Sequence, residues 1–182
     1  MSTQSIDSQD GLVHGLTAIE IQKLGQRSAE AKERAYCPYS HFKVGCALLP
    51  KNTQSAIIIG ANVENAAYPV GTCAERVALG TAVVQGLKYG DLKALAVATN
   101  SAPGSPASPC GMCRQFIREF CEPETPIVMY DREGGFLIKT LEELLPMSFG
   151  PTSLPSPDEL DKIEEDMAKK QANTRDLLVT TA

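Results

Sequence analysis

Cys73, Glu75, Cys110 and Cys113 are the residues of this chain whose types and spacing could do chemistry together. Three thiolates can hold a zinc ion and leave its fourth tetrahedral position open, and a carboxylate two residues from the first thiolate can reach whatever occupies that position. A structural zinc site closes with a fourth Cys or His, yet the only histidines, His14 and His41, sit at no ligand spacing from the pair Cys110 and Cys113. The pattern therefore points to a hydrolytic site holding one zinc per subunit, with Glu75 as its proton carrier. A cysteine pair at this spacing alone would fit two buried thiols or a redox pair equally well, and it is Cys73-Ala74-Glu75 that favours the metal. Cys37, Cys46 and Cys121 lack such spacing and read as small buried hydrophobes.

The elements that must position these groups are helices. Cys110 and Cys113, three apart in a helical first turn, share one face, and Pro109 before them suits the start of a helix. Ala74 to Gly86 carries an apolar stripe at Ala74, Val77, Ala78, Thr81 and Ala82, so a metal would sit between two helix N-termini whose dipoles favour thiolates. Thr17 to about Tyr36 reads as a further helix, with Thr17 and Glu20 as a capping box. Strands are expected at Phe42 to Leu48, Ile57 to Val63, Lys93 to Thr99, Ile127 to Tyr130 and Phe136 to Ile138. A Pro/Ser/Gly-rich loop, Ser101 to Pro109, leads into the second metal-bearing helix, and a short helix near Leu141 to Leu145 closes the body. The fold class is α/β, a three-layer α/β/α sandwich with a mixed sheet of about five strands.

Length and composition bound the function. At 182 residues and 43% apolar the chain suits one domain, expected over 17–155, with a flexible arm at 1–16 and an acidic tail at 156–182. No apolar run approaches membrane-spanning length, and the N-terminus lacks the basic and apolar segments of a signal peptide, so a cytoplasmic protein is expected. A reducing cytosol also suits six cysteines of which three are wanted as thiolates. The net charge is −5, and the tail's seven acids and four bases account for −3 of it. The body is left without a basic excess, which disfavours nucleic acid as a partner.

Zinc deaminases of nucleobases combine a ligand-x-Glu element with a downstream Pro-Cys-x-x-Cys, and this chain carries the all-cysteine form of that pattern. Further blocks extend the likeness: Tyr36-Cys37-Pro38-Tyr39-Ser40 with Phe42-Lys43-Val44-Gly45, Asn62-Val63-Glu64-Asn65-Ala66, Cys73-Ala74-Glu75-Arg76, Ser108-Pro109-Cys110-Gly111-Met112-Cys113-Arg114-Gln115, and Leu144-Leu145-Pro146 with Phe149-Gly150-Pro151. From about Ala35 to Leu154 the chain resembles the cytidine deaminases of the small, homotetrameric, three-cysteine zinc class. Cys46, where alanine is common, is a mild departure, and the N-terminal arm and the acidic tail lie outside the family core.

The resemblance implies hydrolysis of the 4-amino group of cytidine and deoxycytidine, giving uridine or deoxyuridine and ammonia, in pyrimidine salvage. It assigns Cys73, Cys110 and Cys113 to zinc and Glu75 to proton transfer. Three thiolates on Zn²⁺ leave about −1, and the resemblance gives Arg76 the role of donating to the ligand sulfurs and offsetting that charge. A surface arginine is the competing reading. Asn62 and Glu64, on one side of a strand, would grip the ribose hydroxyls, although a structural hydrogen-bond pair also fits them. Phe42 would pack on the pyrimidine, Tyr39 and Tyr68 are candidates for pocket walls, and Phe149 would reach a neighbouring subunit's site in a homotetramer. The rivals are a deaminase of a cytosine-bearing antibiotic, an RNA-editing cytidine deaminase, and a non-catalytic zinc-stabilised interaction module.

Overall fold

Thr17 opens the first long helix. Its hydroxyl accepts from the Glu20 N–H at 3.2 Å while the Glu20 carboxylate accepts from the Thr17 N–H at 2.9 Å, so the expected capping box is formed. In the computed structural model, which describes residues 12–156, 158–164 and 166–167, this helix (α1) spans Ala18–Lys32 and buries Ile21, Leu24, Ser28 and Ala31. It stops four residues short of Tyr36 because Tyr36 has other partners: its N–H donates to Asn62 O at 3.0 Å and its carbonyl accepts from Glu64 N at 2.8 Å. The arm expected to be loose through Leu16 is ordered at its end. Leu12–Val13 (β1) pairs with Leu16–Thr17 (β2), and Leu16 is fully buried, worth about 2 kcal/mol for a leucine taken out of water. The rest of that arm lies outside the described residues.

Five strands form one mixed sheet: Val44–Pro50 (β3), Ile58–Ala61 (β4), Leu92–Thr99 (β5), Pro126–Tyr130 (β6) and Phe136–Thr140 (β7), in the order β4-β3-β5-β6-β7. Only β5 and β6 run parallel, aligned with Val97 opposite Met129, and a parallel pair requires a crossover. Gly111–Arg118 (α3) supplies it, packing on the same face as Ala74–Val84 (α2).

Alternation along β3 separates the layers. Cys46 and Leu48 join Ala74, Ala78, Val97, Ile117 and Met129 in the core beneath α2 and α3. Ala47 joins Leu24, Ala96, Val128 and Ile138 beneath α1. Two glycines let the helices settle close to the sheet. A Cβ on Gly45 would lie 2.0 Å from Ser28 O on α1, and one on Gly60 would lie 2.4 Å from Ala78 N on α2. The short helix Leu141–Leu144 (α4) is capped reciprocally by Thr140 and Glu143.

The chain divides after Phe149 into two units. In the second, residues 158–164 are helical and exposed, the solvated helix that the charge pattern allows, and 168–182 lie outside the described residues. Among the described residues no helix is long and apolar enough to cross a membrane.

Candidate active site

The three cysteines separated in sequence by up to forty residues meet at one point. Cys73 is the N-cap of α2 and Cys110 the N-cap of α3, so the amide ends of both helices face the sulfurs, and Cys113 lies one turn into α3. The Sγ atoms of Cys73, Cys110 and Cys113 all lie within 4.8 Å of one another. All six cysteines are free thiols, and Cys37, Cys46 and Cys121 are buried as expected.

Between the sulfurs one proton is contested. Cys113 donates to Cys73, and together with Arg76 and Cys110 this outweighs burial and pushes the Cys73 thiol down to about 5. The Cys113 thiol moves the opposite way, chiefly because it keeps the shared proton. A divalent cation resolves that contest by stabilising every sulfur as thiolate. The donor set thus fits a thiophilic metal with one position left open.

Arg76 supplies a second sign of fit. Its guanidinium lies against the Cys73 and Cys113 sulfurs, which favour its charge against the penalty of burial. Nη2 donates to Gly71 O at 3.2 Å, whereas the buried Nε has no hydrogen-bond partner among the described residues. A cation held beside thiolates is what a three-thiolate centre needs.

Glu75 is only 3% exposed. Burial raises its carboxyl pKa above the ordinary value and the Cys73 charge adds to the rise, opposed by its own N–H, the Cys113 thiol and Arg76. A carboxyl raised in this way holds a proton more readily than a surface glutamate. Behind it, burial and the same carboxylate hold the Cys46 thiol well up, so Cys46 stays an inert filler.

A cavity of about 330 Å³ is lined by Tyr39, Ser40, Glu64, Asn65, Tyr68 and Gly71 and is linked to this centre through Gly71. Gly71 is shared with Arg76 through the bond just described, and Thr72, next to Cys73, pairs with Val63 next to Glu64. Tyr39 and Tyr68, both lining this cavity, meet edge to face with ring centroids 5.8 Å apart. The Glu64 carboxylate accepts from the N–H groups of Tyr39 at 2.9 Å and Ser40 at 3.2 Å, and from the Ser40 hydroxyl. The Ser40 hydroxyl leads the interactions that hold the Glu64 pKa below its ordinary value.

Asn62 and Phe42 are not among the cavity-lining residues. Asn62 Oδ1 accepts from Val44 N at 2.8 Å and Nδ2 donates to Phe42 O at 3.0 Å, so this side chain bonds backbone groups and does not pair with Glu64. Phe149 stands elsewhere, 60% exposed, with its carbonyl accepting from Gln115 Nε2 at 2.9 Å. Ser40, Asn65 and Gly71 were not singled out as cavity residues by sequence reasoning, although Ser40 and Asn65 lie inside blocks that carry the resemblance.

The family model for the cytidine and deoxycytidylate deaminase zinc-binding region matches residues 19–129, which contain the whole cysteine cluster and Glu75. The chain belongs to the cytidine and deoxycytidylate deaminase family. Among curated members of this family, the cytidine deaminase of Sporosarcina psychrophila is 41% identical over 136 residues, 75% of this chain and 96% of the relative. A probable cytidine deaminase of Dictyostelium discoideum is 38% identical over 145 residues, 80% of this chain and 94% of the relative. The crystal structure of cytidine deaminase from Burkholderia pseudomallei superposes with a TM-score of 0.66 at 38% identity, covering 70% of this chain and 98% of the other. That from Mycobacterium tuberculosis gives 0.58 at 34% identity, covering 71% and 96%. The mixed sheet and the zinc-binding cluster of this chain are those of a deaminase in this family.

Proposed function

We propose that this chain hydrolyses cytidine and deoxycytidine at C4, releasing ammonia and leaving uridine or deoxyuridine, as a cytoplasmic enzyme of pyrimidine salvage. The single observation that carries the reading is the buried Glu75, its carboxyl pKa raised by burial, beside three convergent cysteine sulfurs, with a cavity walled by tyrosines and a carboxylate linked to them through Gly71. Cys73, Cys110 and Cys113 would hold one zinc ion, which when bound supplies Lewis acidity and lowers the pKa of water.

The chain's own residues do the rest. Glu75 takes the proton of the attacking water, delivers it to ring N3, and carries another to the departing amine. Arg76 offsets the charge of three thiolates so that this proton loss is not opposed. Glu64 has one acceptor site left after its three bonds, and Asn62 retains one N–H and one lone pair, which suits both to ribose hydroxyls. Asn62 also fixes the backbone on both sides of Lys43, and Phe42 packs on the pyrimidine. Tyr39 and Tyr68 close the cavity wall. Phe149, on an exposed segment, completes a neighbouring subunit's site in a homotetramer.

The test is ammonia release from cytidine by zinc-loaded protein, beside deoxycytidine, CMP, free cytosine and single-stranded RNA. The nucleosides should be turned over far faster than the rest. Equal kcat/KM for cytidine and CMP would overturn the nucleoside assignment, and no ammonia from any of them would leave a zinc-stabilised interaction module. Salt-sensitive RNA binding with editing of the strand would favour the nucleic-acid enzyme instead.

A further inference from the structure

Of the three sulfurs, that of Cys110 has the least support from the body of the fold. Cys113 is fully buried and Cys73 is partly buried, whereas Cys110 is exposed. It stands at the end of Ser101 to Pro109, nine residues with three prolines and a glycine. The far part of this loop is anchored where Asp131 Oδ2 accepts from Gly104 N at 2.7 Å. The near end depends on one side chain.

That side chain is Arg114, one helical turn after Cys110 and directly after Cys113. Its N–H donates to Cys110 O at 2.9 Å, as the helix requires. Its guanidinium then folds back over the same stretch: Nε donates to Pro109 O and Nη2 to Ser108 Oγ, each at 2.8 Å. The remaining arm, Nη1, donates to Leu144 O at 2.8 Å, at the last residue of α4. One planar fork thus joins the two residues before Cys110 to a separate helix, which a lysine, with a single ammonium, cannot reproduce.

We propose that Arg114 is a positioning residue of the metal centre, holding the Cys110 sulfur against Cys73 and Cys113 without touching metal or substrate. This rests on the reading of the three cysteines as zinc ligands. Pro109 has no N–H to bond, so its carbonyl is the only backbone group through which that residue can be tied, and Arg114 ties it. A ligand on an untethered loop leaves a metal and returns slowly. Loss of Arg114 should therefore act on how long zinc stays, and on turnover only through that. The outer partners of ligands commonly change metal affinity by 10–100-fold.

The experiment measures zinc release to excess chelator from the zinc-loaded full chain, for wild type, Arg114→Ala, Arg114→Lys and a control, Ile138→Val. Ile138 is buried in the layer beneath α1, away from the metal helices, so the control reports a loss of stability alone. Arg114→Ala should release zinc at least tenfold faster than wild type, Arg114→Lys at an intermediate rate, and Ile138→Val at the wild-type rate in spite of a lower Tm. Should Arg114→Ala fail to fold, Arg114→Lys decides. Wild-type release from Arg114→Lys, or acceleration in Ile138→Val matching that in the Arg114 variants, overturns the proposal. A wild-type chain that retains no zinc would overturn the zinc reading itself and with it this inference, an outcome distinct from the others.

Discussion

Glu75 and Ser40 have different parts in the proposed reaction. Glu75 is asked to accept and return protons, and its burial and raised pKa suit that work. Glu75→Gln keeps the shape and removes the proton. It should retain zinc and fold while kcat falls by about 10²–10⁴ or more, since one carboxyl serves every transfer. A variant with a tenth of the wild-type kcat would contradict the role. Under the same proposal Ser40 acts on binding. Its hydroxyl leads the bonds that keep Glu64 ionised, so the Glu64 carboxylate stays an acceptor above a depressed pKa and is lost only as pH falls through it. Ser40→Ala lets that pKa return toward its ordinary value. KM for cytidine should then begin to rise at a higher pH than in wild type as acid is added, with kcat little changed. A KM profile identical to wild type would separate Glu64 from the ribose.

Elements hold these residues where they act, and here the sequence was only partly legible. The metal cluster could be read because Cys-x-x-Cys and Cys-x-Glu are local patterns tied to helix starts, and both helices begin where the spacing places them. The grip of Ser40 on Glu64 could not, since it joins residues 24 apart and all three donors to Glu64, the N–H groups of Tyr39 and Ser40 and the Ser40 hydroxyl, belong to a turn with no periodicity. Strand β4 stops at Ala61, earlier than the apolar run suggests. Val63 is paired instead with Tyr36 and Thr72, outside the main sheet. The contact of α2 with β4 was equally hidden. It depends on Gly60, whose missing Cβ leaves room for the α2 backbone at 2.4 Å from Ala78 N and 2.7 Å from Ala74 O. Gly60→Ala has no flexible side chain to push aside and must displace the helix that carries Cys73 and Glu75. A loss of about 1–3 kcal/mol or more is expected in urea unfolding, accompanied by a fall in kcat. Wild-type stability and turnover would show that α2 moves away without consequence.

At the scale of the whole molecule, the segment after α4 bears on the proposed homotetramer. It is held from α3: Gln115 Nε2 donates to the Phe149 carbonyl at 2.9 Å and Arg118 Nε to the Ser148 hydroxyl at 3.1 Å. Met147 is nevertheless fully exposed and Phe149 60% exposed. Anchoring a backbone while leaving an aromatic in water makes sense when another surface covers the ring, and a nucleoside site that must exclude water is such a surface. Two changes separate this from a tail-driven assembly. Truncation after Ser156 removes the helix at 158–164 and the acidic remainder, and should leave a tetramer with near-normal kinetics. Phe149→Ala should raise KM for cytidine or weaken assembly while zinc content and Tm of the zinc-loaded protein hold, because a ring already in water contributes little to its own subunit's core. Light scattering at assay concentration reads the assembly directly. A monomer with full activity would rule out sites shared between subunits and return Phe149 to the role of an exposed surface residue.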